Sequence, residues 1–175
     1  FDLSQNKIGA HGLRSLSHWM QTRSLEQLSL RLNALDSHAV HALVSLLAEN
    51  DSLLSLDLSH LQLKHSDWVR LLRSLSHEKQ LQSLSLASNA SLAKVAQELA
   101  NFLSQHQGLL RIDLSRNAWL DQKSQVVAES LEKNQALEHL YLIDSRLQDR
   151  SAKTLVQAVD AHPRLLGLYL DYNDI

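Results

Sequence analysis

The feature that most constrains this chain is its period. From Leu25 onward the residues fall into rows of 28. The row openings read LEQLSLRLNAL (25–35), LLSLDLSHLQL (53–63), LQSLSLASNAS (81–91), LLRIDLSRNAW (109–119), LEHLYLIDSRL (137–147) and LLGLYLDYNDI (165–175). FDLSQNKI (1–8) fits the same frame from its fourth position, with a step of 27 to the next row. Apolar residues recur at row positions 1, 4, 6 and usually 11. Position 9 holds Asn6, Asn33, Asn89, Asn117 and Asn173, and Leu61 and Ser145 depart from it. A chain repeating at this length folds as stacked copies of one small unit, because a single unit cannot bury its own apolar side.

Each row changes its internal period halfway. The opening alternates like a short strand with Leu inward. The second half places Val40, Leu43, Val44 and Leu47 at i, i+3, i+4 and i+7, one face of a helix. The same columns hold Trp68, Leu71, Leu72 and Leu75, and then Ala96, Leu99, Ala100 and Leu103. Each row therefore reads strand, turn, helix, turn.

The pattern L-x-x-L-x-L-x-x-N-x-L on this period resembles leucine-rich repeat proteins, and its long helical half resembles the ribonuclease-inhibitor-like subtype. DLSQNKIGAHGLRSL (2–16) is especially close to it. That subtype also supplies RanGAP-type GTPase activators, arms of NLR immune receptors and some bacterial effectors. The resemblance implies an α/β fold, a right-handed solenoid bent into a horseshoe arc. Parallel strands would line the concave face and helices the convex face. Packing distances agree, since strands sit ~4.8 Å apart and helices need ~8–10 Å. The expected organisation is one domain of six to seven repeats, 1–24, 25–52, 53–80, 81–108, 109–136, 137–164 and a partial 165–175. The chain reads as a fragment whose ends are capped by further repeats or another domain.

In this frame the Asn column has a structural role. An amide offers both donor and acceptor to backbone groups left unpaired where the strand ends. Leu61 cannot do this, so an irregularity is expected near 60–63. Ser91, at a normally apolar position, predicts a second one, with Leu92 filling the gap.

Signals for chemistry are weak. The formal charge is −2 with neutral His, so no strong field attracts nucleic acid or anionic lipid. There is no Cys, which excludes a disulfide scaffold, a thiolate metal site and a Cys nucleophile. No apolar run approaches the ~20 residues of a membrane span. His38 and His41 are i, i+3 and could share a metal, but read more simply as solvated residues at a helix start. Asp57, Ser59 and His60 contain the triad residue types, yet adjacent strand residues splay apart and nothing forms an oxyanion hole. Trp19, Trp68 and Trp119 fall in or beside core columns. No catalytic residue, metal site or cofactor is assigned, and the chain is not expected to be an enzyme.

The expected binding surface is the outward side of the strands, row positions 3, 5, 7 and 8. The early and middle rows carry small polar residues there. The late rows gather His139, Tyr141, Ile143, Tyr169 and Tyr172, bordered by Arg111, Arg116, Asp144 and Asp171. Tyr and Arg are the types enriched in binding hot spots. The rings either present a contact surface or pack sideways on each other, and the sequence does not separate the two.

The favoured function is a protein–protein interaction module whose concave face binds a protein partner. The alternatives are a GTPase-activating regulator resembling RanGAP, or a sensing or autoinhibitory arm of a larger receptor or bacterial effector. The expected location is the cytoplasm, or a host cytosol for a secreted effector.

Overall fold

The computed structural model describes residues 1–20 and 23–175. Among these, strands and helices alternate along the chain: α1 (Ala10–Met20), β1 (Gln27–Ser29), α2 (Ser37–Ala48), β2 (Ser55–Asp57), α3 (His65–Leu75), β3 (Ser83–Ser85), α4 (Ala96–Gln105), β4 (Arg111–Asp113), α5 (Leu120–Lys133), β5 (His139–Tyr141), α6 (Asp149–Asp160) and β6 (Gly167–Tyr169). The strands form one all-parallel sheet in chain order. The register is uniform: Leu28 pairs with Leu56, then Leu84, Ile112, Leu140 and Leu168. Each helix packs on the helix of the next row. The fold is leucine-rich-repeat-like.

The alternation inside each short strand sets what lies where. The central residues from Leu28 to Leu140 are buried, whereas their flanking neighbours are half-buried or exposed on the open face. Leu30, Leu58, Leu86, Leu114 and Leu142 form a second column with no exposed surface. Burying one such side chain contributes about 1.5–3 kcal/mol, so these columns and the helix columns under them hold the stack. The helix columns are less uniform than the sequence period predicts, and Val156 is 47% exposed.

A ladder of asparagines runs along the edge where the strands end. Asn89 Nδ2 donates to Leu86 O at 3.1 Å in its own row and to Leu58 O at 2.9 Å in the preceding row. Asn33, Asn117 and Asn173 make the same paired contacts. Each amide oxygen also serves the row before it: Asn33 Oδ1 accepts from Ile8 N, and Asn117 Oδ1 from Asn89 N. Rows without their own Asn are therefore covered by the next row. Asn89 Oδ1 accepts from Leu61 N and Gln62 N, and Asn173 Oδ1 accepts from Ser145 N and Leu147 N.

The backbone reports the same periodicity. Gln5, Leu32, His60, Ser88, Arg116, Asp144 and Tyr172 share one row position and all have φ between 51° and 58°. This left-handed turn carries the chain off the sheet, and non-glycine residues adopt it at a cost. Among the described residues, only the rows of Leu61 and Ser145 carry a second such residue, Gln62 and Arg146. Near Ser91 the chain forms a 3-10 helix, Ala90–Val95, and Leu92 has no exposed surface. The Ser91 hydroxyl instead accepts the Trp68 indole N–H at 3.0 Å.

A second ladder lies at the opposite turn, from helix back to strand. Its column is Asn50, Glu78, His106, Asn134 and His162, three residues before the row-opening Leu53, Leu81, Leu109, Leu137 and Leu165. Asn134 Oδ1 accepts from Ala136 N and Leu137 N, both at 2.8 Å. His106 Nδ1 takes Gly108 N and Leu109 N at 3.2 and 3.0 Å. His162 Nδ1 takes Arg164 N and Leu165 N at 3.2 and 3.0 Å. Gly108 is required by space, since a Cβ there would lie 2.6 Å from Lys79 O.

Candidate functional site

On the open face, the central strands carry an ordered polar strip. Row position 5 alternates Asp2, Ser29, Asp57, Ser85, Asp113. With strands ~4.8 Å apart, adjacent carboxylates would repel, and an intervening Ser doubles their separation. Ser29 Oγ donates to Asp57 Oδ2 at 3.3 Å, and Ser85 Oγ to Asp113 Oδ2 at 3.5 Å. Each Asp also accepts the amide of the Ser two residues on, at 2.9 Å in Asp2–Ser4, Asp57–Ser59 and Asp113–Ser115. At the fully exposed Asp2, the Ser4 hydroxyl and amide hold the carboxyl below its usual range. Ser59 Oγ donates to Asp57 Oδ1 at 2.6 Å and lies 2.8 Å from Ser85 Oγ, so its hydroxyl is engaged within the strip. Ser59 and Ser115 are buried, although the row pattern predicts outward residues at their position.

At β5 and β6 the same column changes to aromatic. Tyr141 and Tyr169 are register partners, and their rings stack at 4.2 Å with an interplanar angle of 5°. His139 joins them, with its ring 6.0 Å from Tyr169 and its Nδ1 3.2 Å from the Tyr169 hydroxyl. Gly167 makes this possible. Its backbone is not left-handed, but a Cβ there would fall 2.8 Å from both His139 Nδ1 and Tyr169 Cε2. The glycine is a slot for the ring of Tyr169. Burial, then the Tyr169 hydroxyl, push the Tyr141 phenol above its usual range.

The remaining sequence-predicted residues divide between this group and its margin. Arg111 pairs in register with His139, and its charge reaches the Tyr141 hydroxyl. Arg116 and Asp144 form an exposed ion pair with Nε to Oδ2 at 3.5 Å. Ile143 is half-buried, and its amide donates to Ser115 Oγ at 3.1 Å. Asp171 is exposed and takes the Asp144 amide through its backbone carbonyl at 2.9 Å. Tyr172 is 87% exposed and joins none of the ring contacts among the described residues. The group the structure assembles is thus Arg111, His139, Tyr141 and Tyr169. Gly167 was missed because nothing in a pattern of apolar and aromatic columns marks an absent side chain.

Among the described residues no group of three or more His, Asp and Glu could hold a metal ion. No helix of the described residues is long and apolar enough to cross a membrane. Trp68 is fully buried, and Trp119 is 9% exposed with its indole N–H unpaired among the described residues. Trp19 is half-buried, edge-on to Phe1 at 4.8 Å and beneath the Arg23 guanidinium at 4.9 Å.

The fold defines a class, the leucine-rich-repeat-like domains, and comparison with known proteins refines it. No family model matches the chain, and no curated protein does. Among solved structures, the chain is similar to the tropomodulin C-terminal domain of Caenorhabditis elegans. Identity is 12%, the match covers 87% of this chain and 92% of that one, and the TM-score is 0.61. It is also similar to the leiomodin-1 actin-binding site 2 domain, at 16% identity, 75% and 81% coverage and a TM-score of 0.57. These neighbours correct the ribonuclease-inhibitor-like resemblance, and they give no support to the RanGAP and effector readings that came with it. The physical reason is that the Leu and Asn columns encode how rows pack and turn. They do not encode one subtype of repeat.

Proposed function

We propose that this chain is a non-catalytic protein-interaction module that binds its partner through the open sheet face at β4 to β6. One observation carries the reading: the half-buried Tyr141–Tyr169 stack with His139, beside the exposed Arg111, fixed in geometry by the sheet register. Stacked rings in a preset arrangement lose little side-chain freedom on binding and offer large contact area with a polar tip. In this reading the sheet bends into an arc because strands space more closely than helices. The open face is then its concave side, and the module works in the cytoplasm. The leiomodin-1 domain that the fold resembles is an actin-binding site, which makes actin the first partner to test.

The test is binding of the purified chain to actin, as monomer and as filament, for wild type and for a Tyr141→Ala/Tyr169→Ala variant. The reading expects measurable wild-type affinity and a loss of tenfold or more in the variant, the size of a lost hot spot of roughly 2 kcal/mol. Equal affinity of the two proteins removes the aromatic face as the site. No binding by wild type removes actin as the partner.

A further inference from the structure

We infer that His162, seconded by His106, is an acid-sensitive latch that fastens the β6 row, and with it Tyr169, to the rest of the stack. His162 is 7% exposed and both ring nitrogens are in use. Nδ1 accepts the amides of Arg164 and Leu165 at 3.2 and 3.0 Å, which leaves the ring proton on Nε2, 3.4 Å from Asn134 Oδ1. His106 repeats the arrangement, with Nε2 3.0 Å from Glu78 O. Asn134 links the two, since its Nδ2 donates to His106 O at 3.1 Å. Only the neutral ring fits. A proton on Nδ1 would face two backbone N–H donors and release both.

The consequence is local. The turn fixed by His162 leads two residues later into Gly167, and then to Tyr169 on the face of Tyr141. Freeing Arg164 and Leu165 therefore loosens the strand that carries half of the aromatic stack. Burial lowers the affinity of both rings for a proton. The stability they support is complete above 6.5, the ordinary histidine value, and is lost as pH falls from there through the lowered folded value.

The charged groups that meet this column are Glu78 and Lys79 beside His106, and the Glu138–Arg164 pair, 2.8 Å apart, beside His162. Glu78 acts in the opposite direction, because burial raises its carboxyl to about 7 and its protonation favours the folded state as pH falls. His162 lies beyond Asn134 from Glu78 and is the cleaner reporter.

The fold supplies its own control, since Asn occupies this column at Asn50 and Asn134 and accepts the same pair of amides. The experiment is residue-resolved hydrogen exchange at Arg164 and Leu165 between pH 7.5 and 5.5 (corrected for intrinsic rates), for wild type, His162→Asn and His106→Asn. A parallel NMR titration follows the wild-type His162 ring. Protection at these amides should fall in wild type, by up to about tenfold over this window, and stay flat in His162→Asn, with the ring titrating below 6.5. A fall of the same size in both Asn variants, or a ring titrating at or above that value, overturns the latch. If His162→Asn does not fold, the wild-type ring titration decides alone. No partner is needed, so the latch can fail independently of the binding reading.

Discussion

Asn89 accepts the backbone amide of Leu61 at 2.9 Å, reaching back across one full row. Through this bond a leucine stands where five of the rows use an amide. Asn89 carries its own row and the Leu61 row together, because it also donates to Leu58 O and Leu86 O. It has no exposed surface. Asn6 is exposed, and its side chain donates to Leu3 O and Ser4 O, both in its own row.

Replacing Asn89 with alanine strands buried amides and carbonyls in two rows. Each unsatisfied buried group costs ~1–3 kcal/mol, so Asn89→Ala should lower stability by roughly 3–5 kcal/mol. Asn6→Ala, with water available to its partners, should cost under about 1 kcal/mol. Urea unfolding of the two variants measures the difference.

The Asp/Ser alternation on the open face predicts that Ser85→Asp is unfavourable. It would place a carboxylate between Asp57 and Asp113, the residues of the flanking strands in its register. At ~4.8 Å each new repulsion is worth about 1 kcal/mol in a water-like medium, and salt screens it. Unfolding at low and at high ionic strength should show a loss of roughly 1–2 kcal/mol that shrinks with salt.

Glu78 stands in the second ladder without using its carboxylate there, since Leu81 N goes to the Glu78 backbone carbonyl at 3.1 Å. Its carboxyl is raised to about 7 by burial, so folding is penalised as pH rises through that value. Glu78→Gln removes the charge and should stabilise the protein by about 1 kcal/mol at pH 8, after discounting for a half-exposed side chain. The gain should vanish below the ordinary carboxylate range. Thermal unfolding between pH 4 and 8.5 reads this directly.

Gly167→Ala separates stability from site geometry. The added Cβ meets the side-chain ends of His139 and Tyr169, which can swing away, so unfolding should shift by less than about 1 kcal/mol. The ring stack and the Tyr169–His139 hydrogen bond should be lost. Near-ultraviolet dichroism of the tyrosines reports the stack, and partner affinity should fall about tenfold.

Much of this architecture was legible in the sequence, for a definable reason. Leu at fixed row positions and the i, i+3, i+4 helix columns record which side chains are buried, and burial repeats with the fold. Most of the open-face residues followed from alternation in the strands, but Ser59 and Ser115 are buried at a position where alternation points outward. Other features leave no mark in a hydropathy pattern. The left-handed turn is taken by Gln, Leu, His, Ser, Arg, Asp and Tyr in turn, so no residue type betrays it. The second ladder mixes Asn and His, whose side chains accept the turn amides, with Glu78, whose backbone carbonyl does so, and they share no hydropathy signature; only their fixed place three residues before the row-opening Leu from Leu53 onward could have exposed them. The stack of Tyr141 on Tyr169 depends on the empty slot at Gly167. The subtype of repeat was misread because the columns that carry it are packing columns.

The central claim is that the partner docks on the open face around Tyr141 and Tyr169. Its most direct test is a hydrogen-exchange footprint of the complex, once a partner such as actin is shown to bind. The account predicts new protection on β4, β5 and β6 and the turns that follow them, with α4 to α6 unchanged. Protection confined to the helices, with the strands of the aromatic face as exchangeable as in the free chain, would contradict it.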